Sequence, residues 1–246
     1  MKNLFTLLLL VSTTLIYGQN IAFDFAFIKA EDIGAYDQNL KLKFQKMNQN
    51  YIDDGRIYGW HVWKVINGAQ TPFTHLAVSI YDLDKMDEDY KGKKWTEVFP
   101  DFAQNELQDW GRKNAENRKI IFETQMVNVA DVLKKGVTEY PDIAVMNFMK
   151  VKDGKYKSYE DAEKSFTKSI SKTDARKGWS FAKRIDRVGT DLSWTHFTVD
   201  CYEKYSDFLK EGAKPSYDAD QVYDNITTLR DLKDRVVLKK FIFLNK

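Results

Sequence analysis

Two histidines stand in matching settings, and an imidazole is the side chain best suited to proton transfer near neutral pH. His75 lies in Phe73-Thr74-His75-Leu76-Ala77-Val78, and His196 in Trp194-Thr195-His196-Phe197-Thr198-Val199. Both read aromatic-Thr-His-x-x-Val, and a tyrosine follows each, Tyr81 and Tyr202. Facing a cavity, these imidazoles would act as general bases or ligate a metal or haem. Facing a packed sheet, each Thr-His pair would hydrogen-bond internally and hold the fold together. Occurrence in both places leans toward the structural role, because duplicated scaffolds share structural residues. Ligand contact stays open beside it.

Other chemistries are excluded by what is missing. Cys201 is the single cysteine, so there is no intrachain disulfide framework and no Cys/His zinc spacing. It sits in an apolar strand pattern and reads as buried filler. No nucleophile elbow and no phosphate-cradling glycine loop occur. The acidic run from Asp82 to Asp89 lacks calcium-loop register and reads as a solvated loop. With 38 Lys+Arg against 36 Asp+Glu, the net charge of +2 gives no basic stripe for nucleic acid. Asn225-Ile226-Thr227 fits a glycosylation acceptor but lies in a helical pattern and is discounted.

The elements that must position the histidines come as a repeat. Gly59-Trp60-His61-Val62-Trp63-Lys64 matches Gly178-Trp179-Ser180-Phe181-Ala182-Lys183, and Phe27-Ile28-Lys29 matches Phe148-Met149-Lys150. These pairs, the two Thr-His segments and the strands Arg118 to Val127 and Arg235 to Leu244 all recur about 120 residues apart. Each half starts with an aromatic-rich strand, Phe23 to Lys29 or Ile143 to Val151. A helix follows, marked by Leu40, Phe44, Met47 and Tyr51, or by Tyr159, Ala162, Phe166 and Ile170. Two strands come next. A partly helical stretch then carries Trp95, Phe99, Phe102 and Trp110, or Val222, Ile226, Leu229 and Leu232. A last strand closes each half, giving β-α-β-β-α-β twice, the ferredoxin-like unit.

The third strand of each half alternates. Leu76, Val78 and Ile80, like Phe197, Val199 and Cys201, form wholly apolar faces and are assigned to the core under the helices. The opposite faces carry Phe73, His75, Ala77, Ser79 and Tyr81, and Trp194, His196, Thr198, Asp200 and Tyr202. Aromatic bodies mixed with donors and acceptors are how small-molecule pockets are lined. The expected ligand-binding set is therefore His75, His196, Ser79, Tyr81, Asp200, Tyr202, Phe73 and Trp194. Trp60 and Trp179 are read as core fillers with pocket lining as the alternative. Lys64 and Lys183 are read as solvated strand ends or anion contacts. If the face of His61 and Trp63 turns inward, His61 joins the cavity in the first half only, because Ser180 replaces it in the second.

A duplicated β-α-β-β-α-β unit with a polar-aromatic sheet face resembles the dimeric α+β barrel superfamily, in its tandem single-chain form. The resemblance covers nearly all of the chain after its first residues and rests on element order and repeat pattern. It implies an α+β fold of two ferredoxin-like repeats packed sheet to sheet around a central cavity. The superfamily includes haem-degrading and quinol-forming monooxygenases, haem-dependent chlorite dismutase-like enzymes, polyketide cyclase-like members and stress-responsive members. No member's active-site motif is recognisable, so no catalytic residue is carried over. No cofactor is expected; haem on His75 and His196 is the alternative. Three function classes follow: a binder of a small, partly aromatic ligand, a cavity enzyme of monooxygenase or lyase type, and a surface interaction module.

Residues 1–18, MKNLFTLLLLVSTTLIYG, read as a cleaved signal peptide. Lys2 is the charged end, Leu4 to Ile16 the apolar region, and Gly18 the small residue before the cut. The style resembles exported proteins of Gram-negative Bacteroidetes-type bacteria. The expectation is a protein of the periplasm or the exterior, with no membrane span after cleavage and no need to form oligomers. Repeats are expected over 19–136 and 137–246, with Pro141 after Gly136 near the boundary.

Overall fold

A computed structural model describes residues 21–67, 71–89, 92–166, 174–213 and 221–246. The expected signal peptide and Ile170 lie outside the described residues. The first half runs β1 (Ile21–Ala30), α1 (Ile33–Asn39), a π-helical turn (Leu40–Phe44), α2 (Gln45–Asp53), β2 (Gly59–Asn67), β3 (His75–Asp82), α3 (Trp95–Val98), α4 (Gln104–Asn117) and β4 (Arg118–Leu133). The second runs β5 (Ile143–Val151), α5 (Tyr156–Phe166), β6 (Gly178–Arg184), β7 (His196–Tyr202), α6 (Tyr205–Gly212), α7 (Gln221–Leu229) and β8 (Arg230–Asn245).

All strand pairs are antiparallel, and the strands close into a barrel in the order β1-β3-β2-β8-β5-β7-β6-β4. Each half supplies a four-stranded sheet of ferredoxin-like order. The expected tandem α+β barrel is the fold. Closure explains why β4 and β8 are 16 residues long, longer at one or both ends than the sequence pattern indicates. β4 pairs with β1 as far as Val127 and with β6 from Met126 onward. β8 does the same between β5 and β2. Leu232, read as helical from its spacing after Leu229, instead pairs with Met149 on β5. Strand pairing at the seam overrides the local period.

The repeated Gly-Trp motif marks that seam. A Cβ on Gly59 would lie 2.9 Å from the Leu244 carbonyl oxygen, and one on Gly178 would lie 2.7 Å from Leu133 Cδ2. Glycine lets β2 and β6 approach the long strand of the other half. Trp60 and Trp179 bury beneath the helices of their own halves, in separate clusters.

The core has three layers. Between the sheets lie Phe25, Phe27, Trp63, Leu76, Val78, Met126, Met146, Phe148, Phe197 and Leu238. Outside one sheet, Tyr36, Leu40 and Ile52 pack on Ile28, Trp60 and Val62. Outside the other, Tyr159 and Ile226 pack on Met149, Trp179 and Phe181. Asp32 starts α1 by accepting the Ala35 N–H at 2.9 Å.

This layering reverses the face assignment expected for the third strands. Leu76, Val78, Phe197 and their apolar neighbours point into the barrel, while His75 and His196 lie under the helices. A closed barrel has no solvent side, so its interior takes the uniformly apolar face. The helix-covered face is edged by Asp, Glu and Lys side chains that can satisfy polar groups.

Candidate functional site

One part of the barrel interior is filled by rings. Phe27 stacks on Phe122 at 4.1 Å and meets Phe73 edge-on at 4.9 Å, while Trp194 meets Phe148 at 5.1 Å. Phe73 and Trp194, expected in the ligand set, belong to this plug and do not line the open space.

Beyond the plug lies a cavity of about 140 Å³. Its walls include Phe23, Phe25, Trp63, Val78, Met146, Phe197 and Cys201. An apolar cavity of about 150 Å³ holds a benzene ring, so this one suits a single ring. Its polar groups are His61, Ser180, Tyr140, Asn128 and Asp131. The Tyr140 hydroxyl and Ser180 Oγ lie 3.2 Å apart, and Asn128 Nδ2 donates to Asp131 Oδ1 at 2.6 Å. His61 stacks on Phe243 at 4.0 Å, and its Nε2 lies 2.8 Å from Asn245 Oδ1. With that oxygen as acceptor, Nε2 carries the hydrogen and Nδ1 keeps its lone pair. Burial drives the His61 pKa down to about 4, against the raising effect of Asn245. The ring is neutral at pH 7 and partly open to the cavity, which suits hydrogen bonding or proton abstraction. Burial also pushes the Cys201 thiol far up, so it stays protonated and inert.

The two repeated histidines serve a different purpose. His75 Nε2 lies 2.9 Å from Asp37 Oδ1, Lys64 Nζ reaches Asp37 Oδ2 at 2.5 Å, and His75 Nδ1 lies 2.9 Å from Thr74 Oγ1. Thr74 Oγ1 also accepts the Ala30 N–H. The second half repeats the arrangement with Thr195, His196, Glu160 and Lys183. There it is looser. His196 Nε2 stands 3.7 Å from Glu160 Oε1 and has no hydrogen-bond partner. Tyr36 and Tyr159 meet the two rings edge-on at 4.9 and 5.4 Å. Each unit ties a helix to two strands.

The remaining expected ligand residues share this helix-covered face. Asp200 accepts from Arg176 Nη1 at 3.1 Å and from Asn147 Nδ2 at 3.0 Å. Tyr202 packs against Phe208, while Ser79 and Tyr81 lie on the outer side of β3. None of His75, His196, Ser79, Tyr81, Asp200, Tyr202, Phe73 or Trp194 lines the cavity. The reversed strand faces carry the first six away from it, and the ring plug takes up Phe73 and Trp194.

Three residues of these units, Tyr36, Asp37 and Glu160, were missed in the sequence, and Tyr159 was read as a helix marker alone. Tyr36-Asp37 and Tyr159-Glu160 recur near the common offset, so the repeat itself carried the signal. Tyr140 and Asp131 had no repeat signal.

Haem ligation by His75 or His196 does not fit the packing. His75 is fully buried and held between Asp37 and Thr74, and His196 is stacked on Phe181 at 5.4 Å. The cavity is also well below the roughly 300–1,000 Å³ of pockets for larger ligands. Among the described residues no cluster of three His, Cys, Asp or Glu side chains is placed to hold a metal ion, and no helix is long and apolar enough to cross a membrane.

The buried imidazoles set a pH dependence. Burial lowers the His196 pKa to about 4, with Glu160 opposing. The unfolded chain then takes up the proton first, so stability is full above about pH 6.5 and falls as pH drops toward 4. His196→Leu removes that slope. Urea unfolding at pH 7 and 4.5 should show the wild type losing on the order of 2–3 kcal/mol more than the variant. Equal losses would show that His196 does not titrate in this window.

No family model matches the sequence, and no curated protein matches it. Solved structures do match in shape. An anthrone oxidase-like protein superposes with a TM-score of 0.58 at 10% identity, over 92% of this chain and 93% of that one. A candidate monooxygenase from Lactobacillus acidophilus gives 0.57 at 9% identity, over 92% and 96%. A mutant chlorite dismutase from Candidatus Nitrospira defluvii gives 0.51 at 10% identity, over 94% of each. The chain is thus similar in fold to the single-chain dimeric α+β barrels.

Proposed function

We propose that the protein binds a small, partly aromatic molecule inside the barrel. The ring lies against Phe25, Met146 and Phe197, and its polar substituent turns toward His61, Tyr140 and Ser180. The observation that carries this reading is the cavity itself: a ring-sized apolar space with its polar groups gathered among these residues. Structural neighbours named for oxidase and monooxygenase activity add a second reading, a cavity enzyme. On this chain its base is His61, the neutral imidazole on the cavity wall, in place of His75 and His196. Export is part of the proposal: the protein recovered from its native periplasm or medium begins at Gln19.

Benzyl alcohol tests the binding reading. In protein carrying 13C-methyl methionine, millimolar benzyl alcohol shifts the Met146 methyl resonance. A Met146 signal unmoved at that concentration overturns the reading.

A further inference from the structure

One feature of the cavity wall is chemically unbalanced. Among its lining residues Asp131 is charged, and no lysine or arginine stands with it. The uncharged Asn128 amide donates to it at 2.6 Å. Lys134, just after β4, and Lys240, whose charge acts on His61, are engaged elsewhere. Lys134 Nζ donates to the Asp174 carbonyl at 2.7 Å. Lys240 Nζ donates to the Tyr140 carbonyl at 2.7 Å and lies 3.6 Å from Asp142. His61 is neutral and adds no positive charge. A carboxylate at the edge of an apolar space, with no counter-charge among the lining residues, attracts a cation, and salt weakens the attraction because Asp131 is exposed.

The surroundings favour an organic cation over a metal ion. Asp131 pairs across the seam with Ser180, and the next residue, Val132, pairs with Trp179. Tyr140 and Trp63 line the same space, edge-on at 6.3 Å. Aromatic faces beside a carboxylate recognise an ammonium group through cation–π attraction and direct ion pairing. Metal ions need several oxygen, nitrogen or sulfur ligands, and no such cluster occurs among the described residues.

We propose that the ligand class is an arylalkylamine: one aromatic ring in the barrel cavity and a protonated amine at Asp131, beside the aromatic wall of Trp63 and Tyr140. This rests on the cavity-binding reading and specifies its ligand.

Three probes with the same ring separate the two claims: benzylamine, benzyl alcohol and benzoate. Their affinities are read by the Met146 methyl shift at pH 7 and low salt. Benzylamine should bind about tenfold more tightly than benzyl alcohol, and benzoate most weakly. The amine's advantage should shrink as salt rises, since Asp131 is exposed at the wall. Asp131→Asn should erase the difference between amine and alcohol. Benzyl alcohol binding as tightly as benzylamine, or an Asp131→Asn variant that keeps the preference, overturns the amine assignment and leaves the cavity reading standing. If none of the three moves Met146, the cavity reading itself fails. Asp131→Ser gives the same comparison should the asparagine variant fold poorly.

Discussion

Replacing His75 with leucine lowers the folding free energy by about 2–3 kcal/mol, whereas His196→Leu changes it by less than about 1 kcal/mol at pH 7. The two histidines occupy equivalent places, so the contrast comes from their partners. His75 loses a charge-assisted bond to Asp37 at 2.9 Å and leaves Thr74 Oγ1 with one partner fewer. His196 Nε2 already lacks a partner and pays a desolvation cost in the folded state. Leucine removes that buried polar atom, which offsets the lost contact with Thr195. Urea unfolding of both variants checks the ranking. Neither variant should alter benzyl alcohol binding, because neither imidazole lines the cavity. Lost binding with normal stability in His75→Leu would return that residue to the functional site.

Ala182→Phe abolishes benzyl alcohol binding, with at least a hundredfold rise in Kd. Ala182 faces the cavity from β6 and is buried in the inter-sheet core. A phenyl group there takes up most of a space of about 140 Å³, leaving no room for a second ring. Filling an existing void is milder than overpacking a dense core, so the expected stability change stays within about 2 kcal/mol. Met146 methyl titration and urea unfolding on the same variant separate the two effects. Undiminished binding would place the probe outside the barrel.

The duplication was legible because its recurring residues do the same mechanical work twice. Gly59 and Gly178 permit close approach at the seam, Lys64 and Lys183 reach helix carboxylates, and His75 and His196 bridge helix to sheet. Element order could be read from these motifs. The direction of the strand faces could not, because alternation tells which residues share a face but not which face meets the drier layer. His75, Ser79 and Tyr81 looked like pocket lining by their mixed chemistry; barrel closure made the apolar face of Leu76, Val78 and Ile80 the inner one. The cavity's polar groups were less visible still. His61 was identified with its orientation open, and its inward turn is a property of β2 pairing with β8. Tyr140 lies in the link between the halves, and Asp131 lies on the extension of β4 that exists only to meet β6. Neither has a counterpart that a repeat comparison could expose.

The central claim is that the ligand site lies within the barrel and not on the histidine-bearing face beneath the helices. Crystals soaked with 4-bromophenol and measured at the bromine absorption edge test it most directly. The account predicts an anomalous peak enclosed by Phe25, Met146 and Phe197. A peak beside His75 or His196 under the helices, with none in the barrel, would contradict it.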